Sequence, residues 1–142
     1  MGFVNLLKLS VGSVSVEDHA GWVAAQAPRT ADGYPYHVTR MWPKRQAEIE
    51  AGGSIYWVIR GLVLVRQRIV RLEETRGADG IARCRIVTEA DCVRTEAVPK
   101  RAFQGWRYLE PADSPRDLPH SRAAEGALPQ RLVSALAEIG LR

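Results

Sequence analysis

The middle of the chain carries a run of residues that favours β-strands above any other structure. Residues 54–72 are rich in branched and aromatic side chains, with Gly61 dividing them into two halves, and such side chains pack well on the pleated surface of a sheet. The next two glycines, Gly77 and Gly80, predict a turn. Residues 81–88 then predict a returning strand, so this part of the chain is expected to form antiparallel β-structure.

Two helices are predicted ahead of this β-rich centre. Apolar residues recur at helical spacing over residues 16–27, behind a sequence typical of a helix N-cap. A second helix is predicted at residues 44–51, after Pro43 and before Gly52. The other predicted elements are strands at residues 3–9, 36–40, 92–98 and 103–109, a proline-containing surface strap at 110–127 and a helix at 128–139.

The length and the order of these elements set the expected fold class. A chain of 142 residues, 46% of them hydrophobic, is long enough to bury one core. It shows no internal repeat, so a single domain over residues 1–142 is expected. The order predicts an α+β fold, built on a small, mixed, mostly antiparallel and strongly bent sheet or barrel. Two N-terminal helices and one C-terminal helix would pack against that sheet.

The compartment is predicted from what the sequence lacks. No apolar run approaches the ~18 residues that a membrane-spanning helix needs, so no membrane association is expected. The N-terminus lacks the charged and apolar regions of a signal peptide, which predicts a cytoplasmic protein.

Common catalytic and metal-binding signatures are also missing. Cys84 and Cys92 do not form a C-x-x-C pair, and the glycine-rich, zinc-protease and nucleophile-elbow motifs are absent from the sequence. No metal ion and no cofactor are therefore expected. Whether the chain is an enzyme stays open, with a binding role favoured.

Positive charge concentrates in the β-rich part of the chain. Residues 40–107 hold 14 lysines and arginines against 8 aspartates and glutamates, whereas the segments on either side are slightly acidic. A localised basic surface of this kind favours an anionic ligand such as RNA. An ordinary solvated face of the sheet is the alternative.

Four arginines of this segment are expected to meet across one hairpin. With a turn centred near Thr75, Arg68 would face Arg83 and Arg66 would face Arg85. Like charges directly opposite each other destabilise a sheet. The pattern therefore predicts that an anion or an acidic neighbour meets these side chains.

Aromatic side chains lie among the charges in two short segments. Residues 40–45 and 103–108 each place a tryptophan beside lysines or arginines, the combination with which proteins stack a base and hold its phosphate. Gln104 beside Gly105 suits the reading of a base edge, and strand alternation places Tyr56 on an exposed face. The candidate ligand-binding residues are His37, Arg40, Trp42, Lys44, Arg45, Tyr56, Gln104, Trp106 and Arg107.

An ordinary structural role is the alternative for each aromatic candidate. Period-two alternation places Trp57 on the apolar face of its strand and so in the core. Trp22 is expected to pack beside the apolar stripe of the first helix, and Trp42 and Trp106 can belong to the core or to the surface. His37 likewise has a structural alternative, as most isolated histidines do.

Two segments carry a resemblance to a known family. Residues 36–61 hold the sequences YHVTRMWPKR and GGSIYWVIRG, and residues 99–118 hold PKRAFQGWRYL and DSPRDL. Together they resemble a bacterial family known as domain of unknown function 1489. The resemblance spans nearly the whole chain and implies family membership without an activity.

The order of elements is also similar to that of PUA-like barrels, which include the ASCH and EVE domains. That similarity implies binding of RNA or a modified base in a cleft on the barrel. The chain departs from the pattern at Gly53-Ser54, where those domains usually carry Gly-Asp. The Lys, Thr and Glu catalytic set of the small ASCH amidohydrolases has no match in this sequence.

Three functions follow as hypotheses. The first is a module that binds RNA, a nucleotide or a modified base in a basic, aromatic cleft. The second is a small hydrolase or transferase that acts on a nucleoside or another anionic metabolite through His37. The third is a protein-interaction module, and the chain is expected to be a monomer or a homodimer.

Overall fold

The computed structural model describes residues 2–119 and shows an α+β fold, as predicted. Within those residues, seven strands and two α-helices form one mixed sheet with helices against it. The elements are β1 (Asn5–Leu9), α1 (Val16–Ala25), β2 (Tyr36–Thr39), α2 (Gln46–Glu50), β3 (Ser54–Ile59), β4 (Leu62–Arg76), β5 (Ala82–Thr88), β6 (Val93–Pro99) and β7 (Trp106–Leu109), followed by a short 3-10 turn at Pro111–Asp113. The predicted helix at 128–139 and the end of the predicted strap at 110–127 lie outside the described residues.

The long strand β4 organises the sheet. The strands follow the order β2-β5-β4-β3-β1-β7, and β6 pairs with the first half of β4. Only the contact between β1 and β3 is parallel; the other pairs of the described strands are antiparallel. This sheet is open, so the predicted bent sheet is the form observed in residues 2–119, and a closed barrel is not.

The sheet bends until its distant strands meet face to face. Three strand spacings separate β2 from β3, which is about 14 Å in a flat sheet, yet the ring centroids of His37 on β2 and Trp57 on β3 lie 4.4 Å apart. A register shift in β4 between Ile69 and Arg71 marks a bulge, and bulges bend the strand that carries them. The bend creates a concave face, and α1 packs into it.

Both faces of the sheet are covered. The concave face holds the larger apolar cluster, in which Trp57 is 1% exposed, as predicted. A second cluster on the opposite face contains Leu7, Tyr56, Val63 and Leu109. The prediction that Tyr56 lies on the surface is wrong, because β3 is a central strand whose two faces are both buried and Tyr56 is only 6% exposed.

Local sequence signals explain where several elements begin and end. The Ser15 side chain accepts a hydrogen bond of 3.1 Å from the backbone N–H of Asp18, which caps α1. Arg60 and Gly61 form the two-residue turn between β3 and β4, with φ angles of 52° and 81°. Positive φ at both positions matches the turn type that joins twisted antiparallel strands. In the part of the chain that the structure describes, no helix is long and apolar enough to cross a membrane.

Candidate functional site

A cleft of about 720 Å³ opens on the concave face of the sheet. We call it the histidine cleft. It lies between the end of β1, the loop that follows it, and the inward faces of α1, β2 and β3. Its principal side chains are Lys8, Ser10, His19, Trp22, His37 and Trp57.

Hydrogen bonds hold His19 at the floor of the cleft. Its Nδ1 lies 2.8 Å from the Ser10 hydroxyl and its Nε2 lies 2.9 Å from Gln67 Oε1. Gln67 Oε1 can only accept, so Nε2 carries the proton and Nδ1 accepts from Ser10. Burial lowers the pKa of His19, while its hydrogen bond to Gln67 opposes that change. His19 is therefore a fixed, neutral imidazole.

Gln67 connects this histidine to the core. Its side chain is 1% exposed, and its Oε1 also accepts a hydrogen bond of 2.9 Å from Trp57 Nε1. Its Nε2 donates to the Thr88 hydroxyl at 3.2 Å and to the Glu89 carbonyl at 2.9 Å. These two acceptors fix the orientation of the amide, and so the floor of the cleft is rigid.

His37 stands among aromatic rings with a hydrogen-bonding atom left over. Its ring centroid lies 4.4 Å from that of Trp57 and 4.8 Å from that of Trp22. Its Nε2 is buried and has no hydrogen-bond partner among residues 2–119. Burial, followed by the nearby His19 and Lys8, lowers the pKa of His37 to about 3. The ring is neutral at physiological pH.

Lys8 supplies the positive charge of the cleft. It lies opposite Trp57 on one neighbouring strand and opposite Trp106 on the other, so its stem runs between two indoles. Burial lowers the pKa of its ammonium group. Lys8 forms no ion pair with the residues that the structure describes.

The carboxylates near the mouth of the histidine cleft already have partners. Glu17 pairs with Arg94, and Asp18 accepts a hydrogen bond of 3.1 Å from the backbone N–H of Val14. The charge of Glu17 is thus offset by Arg94, whereas Asp18 keeps its negative charge, and Lys8 is the cationic side chain that lines the cleft.

A second cleft of about 580 Å³ lies on the opposite face, near the start of β7. We call it the basic cleft, after Lys100, Arg101 and Arg107, which line it with Phe103. The Arg107 guanidinium carbon lies 4.9 Å from the centroid of the Phe103 ring, a cation–π arrangement. Glu110 also lines this cleft, and its carboxylate is bound to Arg45 at 2.7 Å.

The predicted site residues divide between the two faces. Consecutive residues of a strand point to opposite faces, so Trp106 lies beside Lys8 on the concave side while Arg107 lines the basic cleft. His37 lines the histidine cleft, and Gln104 is exposed in the loop before β7. Tyr56 is buried in the second core cluster.

The remaining candidates lie in the loop between β2 and α2. Arg40, Trp42 and Lys44 are exposed. The Trp106 indole N–H donates a hydrogen bond of 3.0 Å to the carbonyl of Met41 in the same loop. Arg45 is bound by Glu48 and Glu110, each at 2.7 Å. The structure therefore brings His37 and the Trp106 region to one face and does not join all nine residues in one cleft.

The predicted pairing of Arg68 with Arg83 and of Arg66 with Arg85 across the β4–β5 hairpin is wrong. The turn is centred near Asp79 rather than near Thr75, so Glu73 lies opposite Arg85 and Thr75 lies opposite Arg83. The Arg85 side chain approaches Glu73 at 3.5 Å. An acidic neighbour therefore meets this arginine, which was one of the two predicted outcomes.

The residues that sequence reasoning missed are polar ones on apolar faces. His19 lies on the buried stripe of α1 with Val16 and Val23, and Gln67 alternates with buried Val65 and Ile69 on β4. A polar side chain in an apolar stripe is the signal that points to a buried network. Lys8 and Trp22 complete the cleft and were not candidates.

The cysteines and acidic residues offer little reactive chemistry. Burial raises the pKa of Cys84 to about 12 and that of Cys92 to about 11, so both are protonated thiols at neutral pH. Among residues 2–119, no group of three or more histidine, cysteine, aspartate or glutamate side chains has the arrangement to hold a metal ion.

Comparison with known proteins identifies the family. A family model described as a protein of unknown function, DUF1489, matches residues 6–142. Searches of curated proteins and of solved structures found no match. The match covers nearly the whole chain and confirms the resemblance of its two sequence segments. The chain belongs to the DUF1489 family.

Proposed function

We propose that the protein binds RNA or a nucleotide, with one base held in the histidine cleft. The observation that carries this proposal is the unpartnered Nε2 of His37 among the rings of Trp22 and Trp57. A buried nitrogen without a partner costs about 1–3 kcal/mol. A ligand that stacks on the half-buried Trp22 ring and, after a small shift of the surrounding side chains, reaches this buried atom would recover that free energy.

The dimensions of the cleft support a base as ligand. Small-molecule sites have volumes of about 300–1,000 Å³, and the histidine cleft measures about 720 Å³, with aromatic and polar side chains both in its lining. Indole and imidazole rings stack on bases without strong sequence preference. Lys8 would attract the phosphate that accompanies the base.

The low pKa of His37 favours binding over the hydrolase alternative. An efficient general base has a pKa near the working pH, whereas the pKa of His37 is lowered to about 3. His19 uses both ring nitrogens in hydrogen bonds to Ser10 and Gln67. Neither imidazole is poised to take a proton from a nucleophile.

We also propose that the domain is related to PUA-like domains, and the bent, mixed sheet with a helix after its first strand supports this relationship. The cytoplasmic location expected from the sequence is likewise part of the proposal. The interaction-module alternative rests on exposed aromatic residues such as Trp42, which is 39% exposed, and has weaker support than the cleft.

The test is a titration with nucleoside monophosphates and with short single-stranded RNA, in which tryptophan fluorescence reports binding. Trp22 lines the cleft and is half-buried, so a base stacked on its ring should quench its emission. The variant His37→Phe keeps an aromatic ring but removes both ring nitrogens, Nε2 among them, and we expect about tenfold weaker binding. The matched control is Arg76→Gln, on the exposed end of β4, which should bind normally. Equal affinity of His37→Phe and the parent protein would overturn the proposal.

A further inference from the structure

Most arginines of the central hairpin are neutralised within the protein. Five of the six arginines in β4 and β5 form ion pairs with carboxylates. Arg66, for example, binds Asp117 at 2.7 Å and Arg83 binds Asp79 at 2.8 Å. The surface that the sequence marks as most basic is therefore not the surface with the most available positive charge.

Cations without ion pairs gather instead around the basic cleft. Arg60, Lys100, Arg101 and Arg107 form no ion pair with any residue that the structure describes. The backbone N–H of Lys100 donates a hydrogen bond of 2.8 Å to the carbonyl of Gly61. This hydrogen bond places the turn that carries Arg60 beside the cleft. The acidic residues of the cleft are Glu110, already bound to Arg45, and Asp113.

Arg60 is an unusual choice for its position. Its φ of 52° lies in the left-handed region, where Asn or Gly is favoured and other residues are strained. A strained backbone at an exposed turn points to a use for the side chain. In this turn the use that the surroundings suggest is its positive charge.

The two clefts share one end of the sheet and lie on its opposite faces. Trp106, the first residue of β7, is opposite Lys8 of the histidine cleft, while the next residue, Arg107, lines the basic cleft. The exposed residues Gln104 and Gly105 precede them at the rim. A single nucleotide cannot fill both clefts, whereas a strand that passes around this rim can.

We propose that the partner is a single-stranded polynucleotide whose phosphodiester backbone binds the basic cleft while one base enters the histidine cleft. The inference rests on the proposed function for its base site. It adds a second site and distinguishes a polynucleotide from a mononucleotide as the ligand. Phe103, half-buried beneath Arg107, offers a ring on which a further base can stack.

The experiment compares a labelled twelve-nucleotide single-stranded RNA, about the length that one binding site of this kind covers, with a nucleoside monophosphate. The test variant combines Lys100→Gln with Arg101→Gln. The matched control combines Arg76→Gln with Arg83→Gln, which removes the same charge from the far hairpin. Binding is measured by fluorescence anisotropy over a range of salt concentrations.

We expect the test variant to bind the RNA at least tenfold more weakly at low salt, with mononucleotide affinity unchanged. The slope of the logarithm of affinity against the logarithm of salt concentration should become shallower by about 1.4. Each of the two lost phosphate contacts to a single strand contributes about 0.7 to that slope. The control variant should keep most of the parent affinity. RNA affinity and salt slope unchanged in the test variant would overturn the inference.

Two further results separate the two proposals. RNA binding weakened by the basic-cleft variant but not by His37→Phe supports the basic cleft and contradicts the base site. RNA binding weakened by His37→Phe alone supports the base site and overturns the basic cleft. Displacement of the RNA by inorganic phosphate, at a concentration where chloride of equal ionic strength has no effect, would assign the basic cleft to free phosphate and overturn the polynucleotide.

Discussion

The side-chain oxygen of Gln67 accepts a hydrogen bond of 2.9 Å from the indole N–H of Trp57. The same oxygen lies 2.9 Å from Nε2 of His19. One buried amide therefore satisfies two donors, one from the core and one from the floor of the histidine cleft. The stability of the core and the shape of the cleft depend on the same side chain.

Replacement of Gln67 by Leu should destabilise the protein strongly. It leaves the Trp57 and His19 donors without an acceptor, and each unsatisfied buried group costs about 1–3 kcal/mol. We expect the free energy of unfolding, measured by urea denaturation, to fall by about 2–6 kcal/mol. The neighbouring exposed residue gives the control, since Arg68→Ala should change stability by less than about 0.5 kcal/mol. A Gln67→Leu variant as stable as the parent would mean that the network contributes nothing.

Stability should fall as the pH falls below the ordinary pKa of histidine. The pKa of His37 is lowered from 6.5 to about 3 in the folded protein, so the unfolded chain takes up the proton first. The contribution of this neutral ring is complete above pH 6.5 and is lost progressively toward pH 3. At about pH 5 the loss should be about 2 kcal/mol relative to about pH 7.5.

Urea denaturation at several pH values checks this expectation. The variant His37→Phe has no proton to gain and should lose less stability over the same range. His19 shifts in the same direction through burial, so part of the dependence should remain. If the parent and the variant show identical pH profiles, His37 is not protonated preferentially in the unfolded chain.

Substitution of Arg60 by Asn should stabilise the fold. Asn tolerates the left-handed φ of 52° better than Arg does, and we expect a gain of about 0.5–1 kcal/mol. Thermal unfolding measures the gain. Arg60→Ala keeps the strain and removes the same charge, so it should show no such increase. The same Asn variant should bind RNA more weakly, which would separate the use of Arg60 in folding from its use in binding.

Two glycines should respond in opposite ways to alanine. A Cβ atom at Gly53 would lie 2.2 Å from the Val4 carbonyl oxygen and 2.7 Å from that of Ile49, so the backbone would have to move. We expect Gly53→Ala to cost more than about 3 kcal/mol. At Gly21 in α1, no atom lies within 4 Å of the added Cβ, and alanine should stabilise the helix by about 0.5–1 kcal/mol. Equal effects at the two positions, measured by urea denaturation, would contradict this assignment.

The elements of the fold could be predicted from sequence because their signals are local. The cap at Ser15, the turn at Gly61 and the alternation that buries Trp57 each depend on a few neighbouring residues. The exposure of Tyr56 could not be predicted in this way. Its burial depends on a segment far along the chain, around Phe103, that packs with the same apolar cluster.

The candidate site was harder to predict because a bend assembles it. His19 and Gln67 are 48 residues apart in sequence, and nothing near either of them indicates the other. The division of Trp106 and Arg107 between two faces follows from simple alternation within the predicted strand at residues 103–109, but the local sequence does not show which cleft each face lines. The hairpin register was missed because it depends on where the turn lies, and the turn is centred near Asp79 rather than near Thr75.

The position of β1 has a consequence for how the chain is made. This first strand lies between β3 and β7, and its Asn5 side chain donates a hydrogen bond to Ser114, 109 residues further along. β1 therefore leaves the ribosome long before β7, its second neighbour in the sheet, has been synthesised. Such distant contacts slow folding, so during synthesis β1 remains an open edge that needs protection from pairing with other nascent chains.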